Sequence, residues 1–230
     1  MITHGRPTCW RCRRAAARCL CARVRPLETA ARFAILMHPK ESRVAIGTGR
    51  LAHHALSGST LIVAERLDDE PALHHLLADP TLAPCVLFPS PRALDLSTAT
   101  PDEARALAPD GRRPLVLVPD GTWTTAKKLV RLSRRLDALP AIRFEPSAPA
   151  RYDRLRKEPR AHCRSTLEAI HEVIDRLDAL GLAPAPAGRV HDHLLALLDA
   201  LVTEQARFEP PDEGVRPATR GPRDAPSQAG

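Results

Sequence analysis

A chain of 230 residues with 43% hydrophobic content can bury one substantial core plus a small appendage, and is too short for two full domains. No apolar run approaches the ~20 residues of a membrane-spanning helix, and the polar amino terminus lacks the apolar centre of a secretory signal; the composition therefore predicts no membrane contact and a cytoplasmic protein. The net charge of +7 is unevenly placed, because Arg6, Arg11, Arg13, Arg14, Arg18, Arg23 and Arg25 all precede the first acidic residue, Glu28.

Within that basic segment, Cys9, Cys12, Cys19 and Cys21 stand in the stretch CWRCRRAAARCLC. Cys-x-x-Cys delivers two thiolates to one centre without strain, and the tighter Cys-x-Cys pair can complete a tetrahedral zinc shell if Leu20 points away. Disulfides or uninvolved thiols are the alternatives, and iron also accepts four thiolates; short paired spacings without a signal peptide favour zinc. The surrounding arginines are expected to project outward and meet a phosphate backbone, with a merely solvated surface as the plainer alternative. Residues 1–27 thus read as an arginine-rich metal-binding module. Cys85 and Cys163 stand alone and read as small buried hydrophobes.

From Arg32 onward the runs RFAILM, TLIVAE, PCVLFP, PLVLVP and AIRFEP read as five buried strands, with intervening stretches long enough for crossover helices. The fold class is α/β with a mostly parallel sheet. Thr100, Pro101 and Glu103 form one helix-start pattern, and Ser165 with Glu168 repeats its capping box. A helix is expected from about Ser165 to Leu180, with Leu167, Ile170, Ile174 and Leu177 on one face. A second runs from about Arg189 to Arg207, carrying Leu194, Leu197, Leu198 and Leu201. Residues 28–208 make the main domain. The tail 209–230 is proline-rich without Leu, Ile or aromatic residues, a composition that predicts disorder.

Ligands of open parallel sheets bind beyond the carboxyl ends of strands. Four places qualify: His38-Pro39-Lys40-Glu41, Phe88-Pro89-Ser90, Asp120-Gly121-Thr122-Trp123, and the segment from Tyr152 to Glu168. Each has a bland alternative. Asp120 could cap the helix near Thr122, Trp123 could be core, His38 could be a turn residue, and Glu168 reads best as a capping carboxylate alone. Lys127, Arg131, Arg134 and Arg135 fall on one helical face, either solvated or phosphate-binding.

Taken in order, Cys-x-x-Cys…Cys-x-Cys, HPKE…TGRL, FPS, DGTW…AKKL, RLRKEP and STLEA resemble the DTW-domain family over roughly residues 9 to 200. The resemblance implies a tRNA-uridine aminocarboxypropyltransferase with a SPOUT-like, knotted α/β fold, which moves the 3-amino-3-carboxypropyl group of S-adenosylmethionine to N3 of a uridine. Carried over by residue, the family's signature falls on Asp120, Thr122 and Trp123, its first-strand motif on His38, Pro39, Glu41, Thr48 and Arg50, and its late motif on Arg156, Ser165, Thr166 and Glu168. Asp120 is the candidate general base. Phe88, Pro89, Ser90, Gly121, Thr122, Trp123, Arg156, Ser165, Thr166 and Glu168 are the expected cofactor-facing residues, and His38, Glu41, Thr48, Arg50, Lys127, Arg131, Arg13, Arg14 and Arg18 the expected RNA-facing ones. Two departures stand out: Gly47 replaces a common Asn, and Arg151, Arg154, Arg160 and Arg164 are additional. A methyltransferase of the same broad fold and a non-catalytic zinc adaptor for RNA are the rival readings, and a monomer is favoured over a homodimer.

Overall fold

The structure, a computed structural model, describes residues 7–44, 47–151 and 164–207. Six strands, β1 (Arg32–Met37), β2 (Thr60–Val63), β3 (Leu82–Leu87), β4 (Leu94–Asp95), β5 (Arg113–Asp120) and β6 (Ala141–Arg143), form one sheet in the order β2-β1-β5-β3-β6-β4. Every pairing is parallel. The five expected strands are all present; β4, two residues long, has no run of its own to announce it. In β1 and β5 nearly every residue is buried, as expected of strands covered on both faces.

Among the described residues, seven α-helices surround the sheet: α1 (Gly49–Ala55), α2 (Pro71–Ala78), α3 (Pro101–Arg105), α4 (Trp123–Leu132), α5 (Arg134–Asp137), α6 (Thr166–Ala179) and α7 (His193–Ala206). Side-chain alternation along the strands splits the core into two layers. Phe33, Ile35, Val116 and Val118 pack with α1, α6 and α7, whereas Ala34, Leu36, Leu115 and Leu117 pack with residues of α2, α4 and α5. Thr100 and Ser165 both close complete capping boxes, so both helix starts stand where the pattern predicted. α7 begins later than expected, because Gly188 and Arg189 adopt left-handed backbone (φ 65° and 52°) and the stretch Ala187–Asp192 is a tighter helix. That turn aims Arg189 at Asp175 in a two-pronged ion pair, at 3.0 and 3.1 Å, beside His171 and His191.

Two expectations about arginines are corrected. Arg14 does not project outward: it is buried, and its Nε donates to the Arg18 carbonyl at 2.8 Å. The basic stripe is not one helical face either, since α4 ends at Leu132 and extended Ser133 separates it from Arg134 and Arg135, whose N–H groups cap onto Asp68. Tyr152, Arg154, Arg156, Arg160, Cys163, Arg6 and the tail lie outside the described residues. No described helix is long and apolar enough to cross a membrane.

Candidate active site

Asp120 is the last residue of β5, paired in register with Met37 of β1. Alternation turns its side chain toward α1 and α6; His38, just past β1, is buried, and its Nδ1 accepts the Lys40 N–H at 3.1 Å. Asp120 is only 6% exposed. The Thr166 hydroxyl at the amino end of α6 donates to its Oδ1, and Oδ2 accepts no hydrogen bond among the described residues. Thr48 ties the same corner together: its hydroxyl, instead of capping its own helix, accepts the Thr166 N–H at 3.0 Å.

Burial pushes the Asp120 carboxyl up to about 6; the Thr166 hydrogen bond and the Arg50 guanidinium oppose that rise, and the nearby Glu41 carboxylate adds to it. A carboxyl titrating there is ionised at neutral pH yet basic enough to take a proton. Asp120 does not cap α4. Thr122 does, with its hydroxyl accepting the Thr125 N–H, while Glu41 Oε1 accepts the Thr122 N–H at 3.3 Å.

Beside this carboxylate, beyond the carboxyl ends of β3, β5 and β6, opens a cavity of about 460 Å³. Pro119, Gly121 and Thr166, the neighbours of Asp120, form part of its wall, with Ala126 of α4 and Ala169 of α6 nearby. Trp123 is not core: it lies parallel to Phe88, ring centroids 5.5 Å apart and planes within 8°, and both rings line the cavity. Arg143, Glu145 and Arg164 supply its charge.

The model of the DTW domain matches residues 6–206. The chain belongs to the DTW-domain family. Among curated proteins, tRNA-uridine aminocarboxypropyltransferase A of Arabidopsis thaliana is 28% identical over 232 aligned positions, covering 90% of this chain and 84% of that protein. No solved structure matches.

In this DTW domain the sequence-derived residues fall into three groups. Phe88, Pro89, Gly121, Trp123 and Thr166 line the cavity, whereas Asp120 does not itself reach its wall; Glu41 and Arg50 lie near Asp120, Thr48 binds Thr166, and Thr122 binds Glu41. Others do neither. Ser90 sits on a separate hollow with Arg92 and Leu136, and Lys127 and Arg131 lie along α4 without lining the cavity. Ser165 and Glu168 spend their polar atoms on the capping box, Glu168 also accepting the Arg151 N–H at 2.7 Å. Sequence reasoning missed Arg143 and Glu145 as cavity residues, although both stand within the fifth apolar run, at and just past the end of β6, where the strand-end rule points. Arg164 falls inside the segment singled out after that strand, where the sequence marks it only as an additional arginine.

Gly49 was missed as well. A Cβ at that position would stand 2.5, 2.6 and 2.8 Å from three atoms of the Asp120 carboxylate, so α1 approaches β5 only because residue 49 has no side chain. Gly→Ala within a helix normally stabilises by roughly 0.5–1 kcal/mol. Gly49→Ala is instead expected to destabilise by about 1–3 kcal/mol, the cost of overpacking, and to displace the carboxylate. Urea denaturation at neutral pH gives the sign directly.

The four amino-terminal cysteines converge. Cys9 and Cys21 Sγ are 3.8 Å apart, as are those of Cys12 and Cys19, and all four ligand atoms lie within 4.8 Å of one another. These separations are far beyond a sulfur–sulfur bond of about 2.05 Å. Sulfurs held about 2.3 Å from a common tetrahedral centre stand about 3.8 Å apart, so the donor set fits a four-thiolate metal site. The Cys12 N–H helps hold the Cys9 thiol down to about 6, whereas burial drives Cys19 and Cys21 up; a cation bound among the four sulfurs would supply the charge that lets the latter two ionise.

Proposed function

We propose that this DTW domain is a tRNA-uridine aminocarboxypropyltransferase of the cytoplasm, using S-adenosylmethionine to modify N3 of a uridine, with zinc on its four amino-terminal cysteines. What carries the reading is a cavity of about 460 Å³ beside a carboxyl raised to about 6, in a chain whose curated relative is named for that transfer. The volume falls within the ~300–1,000 Å³ of small-molecule sites. The knotted, SPOUT-like threading belongs to the same proposal, supported by a sheet whose strand order departs from chain order.

The cavity suits the donor. Phe88 and Trp123 offer flat apolar walls for a purine ring, Glu145 offers negative charge to an ammonium or sulfonium, and Arg164 keeps Nη1 buried without an acceptor among the described residues. A carboxylate would satisfy that orphaned donor. When bound, S-adenosylmethionine presents an electrophilic carbon attached to its sulfonium: the bond to N3 forms as the carbon–sulfur bond breaks, and methylthioadenosine leaves as a neutral thioether.

The protein's own task is to hold these atoms in line and remove one proton. Asp120 Oδ2 takes the N3 proton as N3 attacks, while Thr166 fixes the carboxylate through Oδ1. Because N3 lies on the pairing edge, the uridine must be unpaired or turned out of its stack. Arg50, close enough to act on Asp120, steadies the carboxylate form and stands on the approach for RNA.

Incubation with S-adenosylmethionine and unmodified tRNA is expected to yield methylthioadenosine and a nucleoside heavier by one aminocarboxypropyl group, identified by mass. S-adenosylhomocysteine in its place would make the protein a methyltransferase, and neither product would leave only the adaptor reading.

A further inference from the structure

Trp10 is 79% exposed, the extreme case among the described large hydrophobic residues. It lies between two metal-site cysteines, in a loop fixed at both ends: the Arg13 N–H donates to the Cys9 carbonyl at 2.9 Å and the Cys9 N–H to the Arg14 carbonyl at 2.7 Å. An indole held out in water on so short a loop gives up apolar burial. The Arg11 guanidinium lies 5.9 Å from its ring centre.

The loop is also tied to the helix whose other end reaches Asp120. The His54 ring on α1 donates from Nε2 to the Arg11 carbonyl at 2.9 Å, and the other end of α1, at Gly49, abuts Asp120. Five residues of helix make that span about 8 Å. A cationic line joins the two ends, because the Arg50 guanidinium is close enough to feel both the Arg13 charge and the Asp120 carboxylate. Exposed Arg11, Arg13, Arg23 and Arg25 share this segment, which has no acidic residue before Glu28.

We propose that Trp10 is a stacking platform for an unpaired nucleobase of the RNA, held beside the Arg11, Arg13 and Arg50 track that leads the strand to Asp120. The proposal rests on the RNA-modifying reading and names how the strand is gripped outside the catalytic cavity. An exposed aromatic face beside arginines is the arrangement by which single strands are bound, with each stacked base contributing on the order of 1–3 kcal/mol. A protein partner would be expected to bring acidic side chains against the arginines and an apolar pocket against the indole; the positive field favours the phosphate chain.

The test compares tRNA affinity for the wild type, Trp10→Ala, Trp10→Phe and Arg13→Ala across a salt series, with bound metal measured in each. Trp10→Ala is expected to weaken binding on the order of tenfold while keeping the salt slope, since stacking releases no counterions. Trp10→Phe should recover most of that loss. Arg13→Ala should flatten the slope by about one phosphate contact. Addition of tRNA to a Trp123→Phe protein should change the fluorescence of Trp10, its remaining indole. Unaltered affinity in Trp10→Ala at full metal content, or equal losses in the Ala and Phe variants, or Trp10 emission indifferent to saturating tRNA, would overturn the platform. Product from the wild type alongside any of those results sinks the platform alone, whereas absence of product sinks the enzymatic reading and leaves the binding result standing.

Discussion

Asp120→Asn should be both inactive and more stable than the parent protein. Loss of a general base costs about 10²–10⁴-fold in rate, and an amide has no comparable basicity, whereas its carbonyl can still accept the Thr166 hydroxyl and keep the corner closed. S-adenosylmethionine affinity should hold within a few-fold.

The stability gain follows from the sign of the shift. A carboxyl raised from its ordinary 3.8 to about 6 in the folded chain keeps its proton in the native state over a range where the unfolded chain has lost it, so its contribution weakens as pH rises through that window. By neutral pH the ionised carboxylate costs about 3 kcal/mol. Asn removes that cost, and the variant should melt several degrees higher at pH 7 than the parent, with little advantage near pH 4. Activity of the parent should climb as pH rises through about 6. An active Asp120→Asn would dismiss the carboxylate as base while leaving the family membership untouched; an inactive variant without the gain in melting temperature would locate its value in geometry alone.

Removal of one metal-site thiol should have the second large effect. Cys12→Ser is expected to reduce bound zinc from about one equivalent per chain to near zero and to lower the melting temperature sharply, because a structural four-thiolate site contributes on the order of 10 kcal/mol to the fold it organises. Cys12 is 5% exposed and belongs to the core layer that holds Leu20, Leu27, α1 and α7, so the disturbance reaches beyond the loop. Cys85→Ser is the control: equally buried, in β3 and far from the cluster in sequence, it should destabilise without loss of metal. Full metal retention in Cys12→Ser, measured by atomic emission, would reject the site.

How much of this was legible in the chain follows from the range of each interaction. The strands were legible because Ile, Val and Leu stand in short continuous runs, which only doubly covered parallel strands need. Capping boxes at Thr100 and Ser165 were legible because both partners lie within three residues. The sheet order was not, since nothing local tells β5 to lie between β1 and β3. The corner formed by Gly49, Asp120 and Thr166 was equally hidden: its members are 71 and 46 positions apart, and the reason residue 49 has no side chain exists only once α1 meets β5. Arg14 shows the opposite failure. Its neighbours in a basic stretch suggested solvent, yet its guanidinium closes the turn onto the Arg18 carbonyl.

The shared core of the amino-terminal knuckle and α7 bears on how the protein can be cut. Arg25 N–H donates to His193 Nε2 at 3.0 Å, and the Leu27 and Ser57 N–H groups exchange bonds with the carbonyls of Ala55 and Leu27. A recombinant fragment begun after residue 27 would remove Cys12, Leu20 and Leu27 from the core layer they share with Leu51, Leu56, Leu197 and Leu201, leaving a greasy face on its surface. Such a fragment should precipitate on expression instead of reporting a free-standing transferase.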